Sequence, residues 1–228
     1  MFRKLTMAAV AMSVLAAAGS ASASTNLLTN ADFELGPASF GTGSNDYYRG
    51  IPTGWSAVAG YDVVDIVENG YTQGPPVLKL AESGTHFLDM NGAGSSGAIS
   101  QLVTGLTAGS VLDLSFWHVK WAQNSASGAI GYQFLDGLTN ADLGHGGVTV
   151  GVDWAEFMAS SAATTGTSVR LVLSGTTAFQ AGPGLDNVSL TARGGSDVPE
   201  PTVWGLMIVG FGGIGAMLRR RREAAVPA

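Results

Sequence analysis

"SVLDLSFWHVKW", residues 110–121, alternates apolar and polar side chains with a period of two. Successive side chains of an extended strand point to opposite faces. Leu112, Leu114 and Phe116 therefore form one face, and Val111, Asp113, Ser115 and Trp117 the other. The uniformly apolar set belongs inside, and the stretch reads as a strand with one face on a core. Further along, Val119 and Trp121 share the outward face of Trp117, while His118 and Lys120 follow the inward set to a strand end. Two tryptophans facing outward, Trp117 and Trp121, would form a platform for a sugar ring unless a loop or second layer covers them.

The pattern extends in both directions. Between residues 25 and 192, short β-branched and aromatic runs alternate with Gly, Asn, Asp, Pro and Ser clusters, and no long segment has helical periodicity. Strands are expected at 27–34, 55–67, 86–90, 97–103, 111–121, 129–135, 155–159, 168–174 and 185–191. Nine strands separated by turns suit a β-sandwich or jelly roll better than a barrel. The 33 glycines, mainly between these runs, are the turn formers.

Both ends differ from this body. The start, "MFRKLTMAAVAMSVLAAAGSASAS", places Arg3 and Lys4 before an apolar stretch and Ala21-Ser22-Ala23 after it. That is the form of a secretory signal at 1–23, cut by signal peptidase after Ala23. The other end reads "VPEPTVWGLMIVGFGGIGAMLRRRR". Pro199 and Pro201 flank Glu200 and interrupt regular structure, so 194–201 is a linker. Residues 202–218 then carry no charge. At about 1.5 Å per residue they span roughly 25 Å as a helix, short of a hydrocarbon core of about 30 Å. Arg219, Arg220, Arg221 and Arg222 open a basic tail, 219–228, which the positive-inside rule keeps in the cytoplasm. The expected architecture is an all-β jelly-roll sandwich at 24–193, flanked by an N-terminal signal helix and a C-terminal transmembrane helix.

Residues 198–222 resemble the PEP-CTERM sorting signal: a Pro-Glu-Pro motif, a short transmembrane stretch and an arginine cluster, in that order. The resemblance implies handling by an exosortase-type membrane peptidase, with Pro199, Glu200 and Pro201 as the recognition site. The chain would be exported and held transiently in the inner membrane. After processing it would reach the cell surface or the exterior, in bacteria that often make exopolysaccharide.

The body carries a second resemblance. "NLLTNADFELG" at 26–36 and "GW" at 54–55 resemble the opening of galactose-binding-like jelly rolls and many carbohydrate-binding modules. Residues 86–117 and "GPGLDNVSL" at 182–190 resemble the middle and closing strand of bacterial choice-of-anchor proteins. In that group the first-strand glutamate and last-strand aspartate often bind a structural calcium, which implies Glu34 and Asp186 here. A hard cation prefers such oxygen ligands; the alternative is that both carboxylates are solvated or bonded to turn amides.

Charge and composition exclude other classes. Residues 24–197 hold five basic and fifteen acidic side chains, a formal charge of −10 against −6 for the whole chain. Such a surface repels phosphate backbones, so no nucleic-acid partner is expected. Without cysteine there is no disulfide or thiolate site. No GxSxG elbow, HExxH pair or P-loop occurs. Tyr47, Tyr48 and Arg49, placed in a long loop at 41–55, combine stacking surface with donors suited to saccharides or to protein partners. The leading expectation is a non-catalytic cell-surface or biofilm-matrix protein that binds polysaccharide or matrix partners. The alternatives are a polysaccharide hydrolase or lyase using Asp62, Asp65 or Glu156, and a structural matrix protein without a specific ligand.

Overall fold

A computed structural model describes residues 24–36, 47–71, 80–92, 95–120, 128–176, 182–194 and Phe211. The expected signal helix and transmembrane segment lie outside these residues, Phe211 excepted. Among the described residues eleven strands are present: β1 (Tyr47–Gly50), β2 (Ser56–Ala57), β3 (Val64–Glu68), β4 (His86–Asp89), β5 (Ala98–Thr104), β6 (Val111–Lys120), β7 (Ala129–Asp136), β8 (Asp142–Thr149), β9 (Ala155–Ser160), β10 (Ser168–Gly175) and β11 (Pro183–Arg193). They form two antiparallel sheets. Sheet A has the order β1-β3-β4-β11-β6-β9, and sheet B the order β2-β5-β10-β7-β8. From β4 to β7, and again from β8 to β11, consecutive strands alternate between the sheets, the weaving of a jelly-roll sandwich.

The inward faces meet in one core. Leu112, Leu114 and Phe116 of β6 pack there with Ile130 and Phe134 of β7 and Leu171 and Leu173 of β10, as the alternation of β6 requires. Seven of the expected strands recur with small changes in their bounds. The two others do not form as drawn. Residues 27–34 are irregular: Asn30 and Phe33 have φ of 51° and 58°, outside the extended range. Residues 55–67 break at Gly60 (φ 84°), so that β2 joins sheet B and β3 joins sheet A. Trp55 is not a strand residue; it is a buried anchor whose indole N–H donates to the Asn30 carbonyl at 3.0 Å. Two strands come unannounced. Tyr47–Gly50 lies in the expected loop but pairs with β3, and Asp142–Thr149 pairs with β7 despite three glycines.

The first described segment runs along the last strand. The Leu27 amide donates to the Leu190 carbonyl at 2.8 Å and the Val188 amide to the Ala31 carbonyl at 2.8 Å. The Asn26 side chain donates to the Val188 carbonyl at 2.9 Å and accepts the Leu190 amide at 3.0 Å. The two runs are antiparallel, so Ser24 and Gly194 leave the sandwich from one pole.

Candidate functional site

The outward face of sheet B carries an open groove of about 360 Å³. Its floor comes from the outward residues of β7 and β10. Gln133 stands opposite Val172 on one side and His145 of β8 on the other. Ser174 lies opposite Gly131, which in turn faces Gly147. This glycine pair leaves bare backbone where side chains would fill the groove; a Cβ on Gly131 would approach the Ser174 hydroxyl at 2.9 Å. The connection from β2 to β3 folds Val58 and Tyr61 into the same groove, and Tyr61 remains 47% exposed.

Three polar side chains there bond to one another. His145 Nδ1 pairs with Asp142 Oδ2, and the Gly144 amide donates to Asp142 Oδ1 at 2.9 Å. The Gly144 amide, then His145 and Gln133, hold the Asp142 carboxyl below the usual carboxylate range. An aromatic ring, an imidazole, a primary amide, a hydroxyl and a carboxylate therefore share one open surface. Their chemistry matches the alternating apolar and hydroxyl faces of a sugar. Sequence reasoning passed over this face because Gly144, Gly146 and Gly147 read as a turn.

The opposite flank, the outward face of sheet A, is partly roofed. Part of the β3–β4 connection, a strap at residues 80–85, lies over it: Ala81, with Tyr71 and Trp154, covers a second apolar cluster of Val67, Phe87 and Val119. Trp154 clamps that strap by donating its indole N–H to the Leu80 carbonyl at 2.9 Å. Val119 is consequently fully buried although it points away from the main core. Trp117 is half-buried on this face, opposite Asp186 and Glu156, and Trp121 lies outside the described residues. Tyr47 and Tyr48 point to opposite faces. Tyr47 tilts against Tyr71 at 5.1 Å, with the Arg49 guanidinium 5.9 Å from its ring, whereas Tyr48 packs on the main core. The two tyrosines do not make one stacking surface.

Glu34 and Asp186 both act on the turn that ends this strap. Glu34 Oε1 accepts the Thr85 and His86 amides at 2.7 and 2.8 Å; Oε2 accepts the Thr85 hydroxyl at 2.7 Å and meets His86 Nδ1 at 2.9 Å. Burial raises the Glu34 pKa, but the bonds from His86 and Thr85 outweigh it and hold the group low. Asp186, fully buried, accepts the Glu82, Ser83 and Asn187 amides at 2.8, 3.1 and 2.7 Å. Burial pushes its pKa up to about 7 against the pull of those amides. Among the described residues no three acidic, histidine or cysteine side chains are grouped to hold a metal ion.

Of the carboxylates considered for catalysis, Asp62 and Asp65 lie near Arg49 and Glu156 is remote from both. Asp62 bonds Ser95, and Asp65 on β3 pairs with Arg49 at 3.0 Å. Glu156 lies on β9, four strand steps from β3 in sheet A, or roughly 19 Å at about 4.8 Å per step. Glycosidase carboxylates sit about 5–9.5 Å apart.

The family model for the PEP-CTERM protein-sorting motif matches residues 197–222. This segment is a PEP-CTERM sorting motif. It begins beyond Gly194, the last described residue of the body, and contains Pro199, Glu200, Pro201 and the four arginines. A PEP-CTERM motif implies export with exosortase sorting. Among the described residues no helix is long and apolar enough to cross a membrane. No curated protein matches the chain.

Among solved structures, the chain is similar to a family 61 carbohydrate-binding module solved with β-1,4-galactotriose, at 18% identity and a TM-score of 0.48, over 75% of this chain and 100% of that one. A family 16 carbohydrate-binding module matches at 20% identity and 0.47, over 73% and 99%. The enzymatically active domain of bacteriophage CBA120 tailspike protein 4 matches at 16% identity and 0.45, over 74% of this chain but 21% of that one.

Proposed function

We propose that this chain is an exported, non-catalytic polysaccharide-binding protein of the cell surface or matrix, and that the sheet B groove is its binding site. The observation that carries this reading is the groove's open, mixed surface. Tyr61 supplies a face for stacking, while Gln133, His145, Ser174 and Asp142 supply donors and acceptors for sugar hydroxyls. The acidic body favours neutral polymers over acidic ones. The separation of Glu156 from Asp65, and the pairing of Asp65 with Arg49, favour binding over hydrolysis. Trp117 offers a lesser, half-buried contact on the other flank, with Trp121 four residues on in sequence and Tyr47 four strands away on β1; Tyr48 is committed to the core.

The test is a glycan array followed by affinity measurement against soluble polysaccharides. Tyr61→Ala and Gln133→Ala are each expected to weaken binding by roughly tenfold, or about 1.4 kcal/mol, with melting temperature unchanged. Binding lost in Trp117→Ala and retained in both groove variants would move the site to sheet A. Release of reducing ends from a bound polysaccharide would replace binding with catalysis.

A further inference from the structure

The resemblance of the body places a calcium between Glu34 and Asp186, and the geometry around them does not fit that ion. Calcium takes six to eight oxygen ligands directed at one point. Here the turn offers hydrogen-bond donors. Both Glu34 oxygens are engaged by the Thr85 and His86 groups, four contacts between 2.7 and 2.9 Å. Asp186 Oδ2 accepts two amides of the same turn, from Glu82 and Ser83, and Oδ1 accepts Asn187. Amide hydrogens carry positive partial charge and would repel a cation placed beside these carboxylates.

Three carbonyl oxygens around the turn accept bonds from elsewhere. Leu80 O accepts the Trp154 indole, Gly84 O accepts the Asn69 side-chain amide at 3.1 Å, and Thr85 O accepts the Asn69 backbone amide at 2.8 Å. The fit between turn and carboxylate is close. Gly84 has φ 64°, and a Cβ there would fall on the Glu34 carboxylate. The Glu82 side chain completes the clasp by accepting from Asn187 Nδ2 at 3.1 Å.

We propose that Glu34 and Asp186 form a cation-free latch, in which the backbone of residues 82–86 occupies the place of a structural calcium and closes the β3–β4 strap onto sheet A. The two carboxylates come from opposite ends of the sequence, so the latch joins the first segment, the strap and the last strand. At Glu34 the donors of Thr85 and His86 outweigh the cost of burial, so that carboxylate needs no metal to hold its charge.

The experiment follows thermal unfolding of the full chain in detergent, in EDTA and in millimolar calcium. The wild-type midpoint is expected to shift by less than about 1 °C between the two, whereas saturation of a specific site would raise it by roughly 5–10 °C. Glu34→Gln is expected to lower the midpoint by roughly 3–10 °C equally in both buffers. Thr85→Val, which removes one donor and keeps the shape, gives the same calcium-independent fall on a smaller scale. A wild-type midpoint that climbs several degrees with calcium would overturn the latch. So would neutral midpoints in both variants.

Discussion

His118 sits at the inward end of β6, 5% exposed, and its Nδ1 has no hydrogen-bond partner among the described residues. Burial holds its pKa below the ordinary 6.5. The unfolded chain therefore takes up this proton first as pH falls, and the folded state loses stability below about 6.5. Asp186 acts in the opposite sense. Its pKa rises on folding from 3.8 to about 7, so its proton uptake favours the fold over that interval. Comparing variants separates the two effects. His118→Leu is expected to remove the acid-side penalty, so that acidification from about pH 7 to 5 lowers its melting temperature less than the wild type's. An identical pH profile in the variant would refute the assignment. Asn30 belongs to the same scale: its side chain bonds Leu35 twice and the Thr53 carbonyl once, at 2.8–3.0 Å, which fixes the irregular first segment.

Elements were legible where side chains alternate and obscure where they do not. The alternation of β6 predicts its inward face, and β5, β7, β10 and β11 follow the same logic. β8 escaped because "LGHGG" offers almost no side chains from which to read a face; it is a strand only because β7 presents a partner edge. The 27–34 segment misled in the other direction. It is apolar enough for a strand, yet Asn30 turns it. The alternation also puts Trp117 on the outward face of β6, but the residues that roof part of that face, Tyr71, Ala81 and Trp154, are remote from it in sequence and cannot be read there. The donors that Glu34 and Asp186 meet are hidden for the same reason. The strap also yields a prediction. Trp154→Phe keeps the ring that packs edge-on against Phe87 at 5.9 Å and removes the bond to Leu80. Hydrogen exchange at the Glu82 and Ser83 amides should then quicken by roughly five- to tenfold, since about 1 kcal/mol of clamping is lost. Unchanged exchange would mean that the indole bond does not hold the strap.

At the scale of the molecule, the PEP-CTERM motif and the sandwich are separable. β11 ends at Arg193 and the motif begins at residue 197, so cleavage at Pro199-Glu200-Pro201 would remove none of the described strands. In a cell carrying the matching peptidase, a C-terminal epitope tag should be lost from the wild type and retained in Glu200→Ala; a tag that persists on both would disprove processing at this motif. The antiparallel run of residues 26–31 along β11 brings Ser24 and Gly194, the two ends of the described body, to one pole. Gly194 follows β11 of sheet A, so a tether continuing from it would start on the sheet opposite the groove. On the proposed function, a groove on the far sheet from the tether would be as open before release as after it.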